Sequence, residues 1–242
     1  MIEALTPLKK EVLFILAPFL SNKECIESYF EELKKDFSLI LYVPSDHSDK
    51  KDYLSYKEEI KDIFSFFKRN DIQRVKGIIG VSFGAKIALE MLQYPSISFD
   101  KMILDGLPLY ENEEEKEKEF FQYYLEQQHI ATTSFHDGKK FFTSLYGETY
   151  CKELTNQFIH ISEKSIRNIV KDLTHTHILD IPSSLQRKIT LLYGQREEIY
   201  HTYQNTLEER YPEIEIQVLE ERHTLEEDRE EYIDLLYSIL YS

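Results

Sequence analysis

Val75-Lys76-Gly77-Ile78-Ile79-Gly80-Val81-Ser82-Phe83-Gly84, followed by Ala85 to Leu92, is the stretch on which the reading of this chain turns. Val75–Ile79 is a short apolar run of the kind that forms a buried strand, and Ala85–Leu92 reads as a helix. Between them lies G-x-S-x-G, the pattern of a nucleophile elbow when it joins a strand to a helix. Such a turn has no room for side chains at the positions flanking the serine, so Gly80 and Gly84 are the residues it requires. The turn lifts the Ser82 hydroxyl above the sheet at a helix N-terminus, where free N–H groups and the helix dipole favour negative charge. The chain has only 7 glycines, and Gly77, Gly80 and Gly84 fall together here. The plainer alternative is an ordinary turn in which Ser82 caps the helix.

Outward from this stretch, apolar runs alternate with amphipathic segments. Val12–Leu16 reads as a strand, Lys23–Lys35 as a helix, Ser38–Val43 as a strand closed by Pro44, and Leu54–Phe67 as a helix. Lys101–Leu104 is a further strand. The rhythm then stops: Glu111–Glu119 is an acidic run, and Phe120–His177 shows no clear strand but many aromatics in helical spacing. It resumes with a strand at Lys188–Tyr193, a helix around Tyr203–Glu209, a strand at Glu213–Leu219 and a final helix introduced by Thr224 and Glu227 in capping-box spacing. Strands alternating with helices predict an α/β fold with a mostly parallel, doubly wound sheet.

Composition narrows the partners. With 242 residues and 42% hydrophobic content the chain can bury a sizeable core. Its formal net charge of −15 disfavours nucleic acid and anionic membrane surfaces, both of which need a basic footprint. Cys25 and Cys151 are too few for a disulfide framework and read as free thiols in a reducing, cytoplasmic setting. Val12–Leu20 is too short and too interrupted for a signal sequence, and no run is long enough for membrane insertion. His175-x-His177 lacks companion ligands, so neither a metal nor any other cofactor is expected.

A serine nucleophile needs a base, and the base needs an acid. Of 8 histidines, His223 alone follows a strand near the C-terminus and precedes the last helix, a position from which a strand end can meet Ser82. In Tyr193-Gly194-Gln195-Arg196-Glu197 a strand runs into glycine and a carboxylate follows, which makes Glu197 the candidate acid. Its neighbour Glu198, and Asp105 at the end of the Lys101–Leu104 strand, are alternatives. The order Ser82, Glu197, His223 is that of the nucleophile-elbow architecture.

By these motifs nearly the whole chain resembles the α/β-hydrolases. The resemblance implies a core domain over residues 1–106 and 182–242 with an inserted helical cap over residues 107–181. It implies a small-molecule substrate and a Ser-His-Glu/Asp triad that cleaves a carboxylic ester or thioester through an acyl-enzyme. In the family a His-Gly-type turn after an early strand supplies an oxyanion donor; Ala17-Pro18 stands there in this chain, which makes the backbone N–H groups of Phe19 and Phe83 the expected donors. Val81, Glu197 and Arg222 also depart from the usual residues around the triad. The cap's aromatics, among them Tyr124, Phe141, Phe142 and Tyr146, either line an apolar pocket over Ser82 or form the cap's own core. A binding protein that kept the fold without catalysis, and a lyase built on the same Ser–His pair, are the other functions the resemblance leaves open.

Overall fold

The structure is a computed structural model that describes residues 1–47, 51–94, 97–111, 113–176, 179–220 and 229–242. Seven strands form one sheet: β1 (Ile2–Ala4), β2 (Val12–Leu16), β3 (Ser38–Tyr42), β4 (Arg74–Val81), β5 (Ser98–Asp105), β6 (Ile189–Gly194) and β7 (Glu215–Leu219). Their order is β1-β3-β2-β4-β5-β6-β7. Only β1 is antiparallel, pairing with β3 through Ile2↔Tyr42 and Ala4↔Ile40; every other pair is parallel. The sheet is therefore mostly parallel and wound on both faces, as the alternation of strands and helices predicts.

Both faces are apolar because each strand alternates with period two. Phe14, Leu16, Ile40, Ile78, Met102 and Leu104 turn to one face, where they pack with α2 (Tyr56–Arg69) and α3 (Phe83–Met91). Leu13, Ile15, Leu39, Leu41, Ile79 and Ile103 turn to the other, against α1 (Lys23–Tyr29) and the C-terminal helix at Arg229–Leu240. The expected single helix over Lys23–Lys35 is interrupted at Phe30, and Glu31–Lys35 continues as a 3-10 helix. The tighter turn carries Leu33 to a fully buried position.

Between β5 and β6 the described chain is helical: α4 (Glu114–Thr133), α5 (Phe135–Tyr146), α6 (Cys151–Phe158), α7 (Glu163–Thr174) and the short α8 (Ser183–Gln186). The acidic run opens α4, where Glu114, Glu115 and Glu117 in the first turn suit the helix dipole. Helix α7 is tied to the loop before α2 by hydrogen bonds. The Tyr53 hydroxyl and the Tyr56 N–H both donate to Asp172 Oδ2, at 2.6 and 2.8 Å, and Asn168 Nδ2 donates to Tyr53 O at 3.0 Å. Burial pushes the Asp172 carboxyl above the usual range even though these donors oppose the shift. The remaining helices are α9 (Glu198–Arg210) and α10 (Arg229–Leu240); Thr224 and Glu227, the expected capping pair of α10, lie outside the described residues. Cys25 and Cys151 are buried and are not joined in a disulfide. Among the described residues no helix is long and apolar enough to cross a membrane.

Candidate active site

The elbow is built by sterics. Strand β4 passes into α3 through Ser82 alone, which sits at φ 49°, ψ −113°. A non-glycine residue at positive φ costs about 1–3 kcal/mol and persists only where its surroundings over-determine it. Those surroundings are specific here. A Cβ on Gly80 would lie 2.7 Å from Ala85 Cα, and one on Gly84 would lie 2.1 Å from the carbonyl oxygen of Leu16. Helix α3 thus starts against the end of β2, and only glycine permits that approach. The Ser82 N–H donates to Asp105 O at 2.7 Å, which locks the turn to the end of β5.

Ser82 is the N-cap residue of α3, yet its side chain makes no cap hydrogen bond. The capping residues of α1, α2, α5 and α7 (Asn22, Ser55, Ser134 and Ser162) all accept from a backbone N–H of the first turn. The helix-capping alternative therefore does not describe Ser82. Its side chain instead lines a cavity of about 480 Å³.

That cavity collects residues from distant parts of the chain. The turn after β2 contributes Pro18, Phe19 and Leu20; the ends of β5 and β6 contribute Asp105, Gly106 and Glu197. Helices α4 and α5 supply Tyr123, Tyr124, Phe141, Leu145 and Tyr146, and α7 supplies Leu173. Phe142 does not take part: it is fully buried between α5 and α6, its ring edge-to-face with Phe158 at 5.6 Å. Leu145 and Leu173 are lining residues that the aromatic pattern did not single out.

The carboxylates divide by environment. Asp105 is buried at the end of β5. Glu197 immediately precedes α9, half-buried, and its Oε1 accepts from the Gly194 N–H at 2.7 Å. Its Oε2 faces Gly106, lying 3.5 Å from where a Cβ there would be. Glu198, the first residue of α9, is exposed and does not line the cavity, because the helix carries it outward one position beyond Glu197. His223 and its neighbour Arg222 lie outside the described residues. Strand β7 ends at Leu219 beside Gly194, and Gln195 N–H donates to Leu219 O at 2.9 Å. Among the described lining residues the ionisable groups are carboxyls and phenols, with no lysine or arginine.

The two expected oxyanion donors belong to different elements. Phe83 is the first residue of α3, so its N–H is one of those a helix leaves without an intrahelical acceptor. Its side chain is fully buried and edge-to-face with Tyr53 at 5.5 Å. Phe19 lies in a turn that carries a second strained residue, Leu20 at φ 65°. Side chains from elsewhere hold this turn. Ser21 Oγ donates to Pro18 O at 2.8 Å, the Tyr146 hydroxyl donates to Phe19 O at 3.2 Å, and Gln157 Nε2 donates to Ser21 O at 3.0 Å. Burial holds the Tyr146 phenol well above its ordinary pKa and pushes Tyr124 up as well, so both keep their protons. His47, buried after β3, accepts from the Leu20 N–H through Nε2 at 3.2 Å. Sequence reading passed over His47; the available signal was its place just beyond the Pro44 that ends a parallel strand.

Of the His-x-His pair, His177 lies outside the described residues and His175 Nε2 is 2.7 Å from Glu117 Oε2. Among the described residues no group of three or more His, Cys, Asp or Glu could hold a metal ion.

Solved structures resemble this one over nearly their whole length. A carboxylesterase from Nitrososphaera gargenis superposes with TM-score 0.73 at 18% identity, over 100% of this chain and 93% of the other. An α/β hydrolase family protein from Desulfitobacterium hafniense gives 0.72 at 17% identity, over 99% and 100%. A bromoperoxidase from Bacillus anthracis gives 0.76 at 11% identity, over 100% and 95%. No protein-family model matches the chain, and no curated protein matches its sequence. At these identities the likeness is one of fold: the chain has the α/β-hydrolase fold.

Proposed function

We propose that this protein is a serine hydrolase that cleaves a small carboxylic ester or thioester with an apolar acyl or aromatic part. The observation that carries the reading is Ser82: strained, withheld from capping its own helix, and opening into a cavity bordered by two strand-end carboxylates. Strain of this kind concentrates at functional sites. The aromatic and aliphatic walls suit an apolar acyl group.

In the proposed mechanism Ser82 Oγ attacks the substrate carbonyl carbon while His223 removes the hydroxyl proton. The carbonyl oxygen becomes an oxyanion that accepts from the Phe19 and Phe83 N–H groups, an arrangement whose loss costs about 10²–10³ in turnover per donor. The tetrahedral intermediate collapses, the alcohol or thiol leaves with the proton from His223, and an ester of Ser82 remains. Water, deprotonated by His223, then attacks that ester and releases the acid and the free serine. Glu197 holds the His223 tautomer and stabilises its cation; its Oε1 is already oriented by the Gly194 N–H. Support for His223 comes from chain order and from the end of β7 lying beside the Glu197 loop.

Hydrolysis of p-nitrophenyl acetate tests the proposal. Wild-type protein should turn it over with an acyl-enzyme burst, and Ser82→Ala should lower turnover on the order of a million-fold while leaving the circular dichroism spectrum unchanged. Equal rates for the two proteins would refute it.

A further inference from the structure

We infer that His47 is a positioning residue for the oxyanion hole, an inference that rests on the serine-hydrolase reading of Ser82. Apart from Ser21, the side chains that hold the turn carrying the Phe19 N–H come from elsewhere in the chain. Leu20 is left-handed at φ 65°, a conformation that costs an L-residue roughly 1 kcal/mol or more. A backbone turn under strain keeps its shape only if outside groups bind it. Among the described residues, His47 is the one whose side chain binds the backbone of the strained residue itself: its Nε2 lies 3.2 Å from the Leu20 N–H.

That contact settles which ring nitrogen carries the proton. A backbone N–H can only donate, so Nε2 must present a lone pair. The other nitrogen, Nδ1, lies 3.1 Å from Ser45 O and is placed to donate to it. The imidazole thus bridges two segments: it donates to the loop that leaves β3 and accepts from the turn that leaves β2. The ring also packs edge-to-face with that of Phe19, with centroids 5.4 Å apart. With 3% exposure the ring has no room to swing away. The next residue N-terminal, Asp46, anchors the same loop from the cap side by accepting the Ser162 N–H at 2.8 Å. His47 does not line the cavity, so it does not touch substrate; it acts through the turn. The oxyanion donors must sit within a few tenths of an ångström of the developing charge, and misplacement by about 1 Å costs on the order of 10²-fold.

Two substitutions separate this role from packing. The amide of His47→Gln carries its terminal oxygen about as far from the backbone as Nε2, and can accept from the Leu20 N–H. The amide of His47→Asn is one bond shorter, reaching only to where Nδ1 stands, and cannot. Both variants lose the imidazole ring and its contact with Phe19, so loss of that contact alone would impair them alike. The experiment measures kcat and KM on p-nitrophenyl acetate, with hydrogen exchange of the segment 17–22 followed by mass spectrometry. We expect His47→Asn to lose on the order of 10²-fold in kcat with KM within about threefold of wild type, since an oxyanion donor acts in the transition state. Its Leu20 amide should exchange faster, and His47→Gln should recover most of both. Equal impairment of the two variants, or a His47→Asn with wild-type kcat and protection, would overturn the inference. Should wild type prove no more active than Ser82→Ala, the hydrolase reading fails on that comparison, while the exchange data still decide whether His47 holds the turn.

Discussion

The two sides of the cavity are built by opposite means. The elbow is ten consecutive residues whose shape follows from two absent side chains: Gly80 against Ala85, and Gly84 against the Leu16 carbonyl. The facing rim has no such local logic. Its turn at Phe19–Leu20 is held by Ser21, His47, Tyr146 and Gln157, and its carboxylates arrive from the ends of two other strands. Each side strains one non-glycine residue, Ser82 at φ 49° and Leu20 at φ 65°. One is enforced by backbone sterics at two glycines and by the Ser82 N–H bond to Asp105 O; the other is enforced by side-chain hydrogen bonds from 27 to 136 residues away in sequence, Ser21 apart. A rim assembled in that way can be retuned by single substitutions, whereas the elbow tolerates almost none.

The largest effect expected from testing this contrast concerns the assembled rim. Glu197→Gln should lower turnover of p-nitrophenyl acetate by about 10³–10⁴-fold, because the amide cannot stabilise the imidazolium. Asp105→Asn should lose less than about tenfold, since the backbone carbonyl of Asp105, not its side chain, receives the Ser82 N–H. Steady-state kinetics of both variants decide between them, and the reverse ranking would move the acid to the end of β5.

Next in size is the elbow itself. Gly84→Ala places a methyl group 2.1 Å from the Leu16 carbonyl oxygen, a backbone atom that cannot step aside. Urea unfolding should show a loss of more than about 3 kcal/mol, or no folded protein. A variant within about 1 kcal/mol of wild type would mean that α3 can shift away from β2 and that the elbow is not sterically determined.

The smallest effect measures the stored strain. Ser82→Gly should relieve about 1–3 kcal/mol, partly offset by glycine's extra freedom in the unfolded chain, for a net gain of about 1 kcal/mol. For a chain of this size that raises Tm by roughly 2–4 °C while abolishing activity. A lower Tm would show that the serine is not strained.

The same contrast explains what the sequence disclosed. The elbow, β2, β3, β4 and the two-sided sheet were legible because their signals are contiguous: an apolar run, then glycine at two spaced positions, then a helical pattern. β1 was not, since Ile2–Ala4 is three residues long and its partner β3 lies 36 or more residues away. The stretch between β5 and β6 read as helical from its aromatic spacing, but which rings line the cavity with Ser82 depends on how the helices lean on one another. Phe141 lines the cavity while adjacent Phe142 turns toward Phe158. His47 offers only its place just beyond Pro44, because its partner Leu20 is set by the meeting of two strand ends. The candidate acids could be narrowed to strand ends by topology, and that Glu198 lies off the cavity is seen only once α9 is known to begin there.

The central claim is that Ser82 is a nucleophile. Treating the folded protein with a fluorophosphonate probe and mapping the adduct by peptide mass spectrometry tests it directly. A single adduct is expected, on Ser82, formed in wild type and absent from Ser82→Ala. An adduct on any other residue, or none on wild-type protein that remains folded, would contradict it.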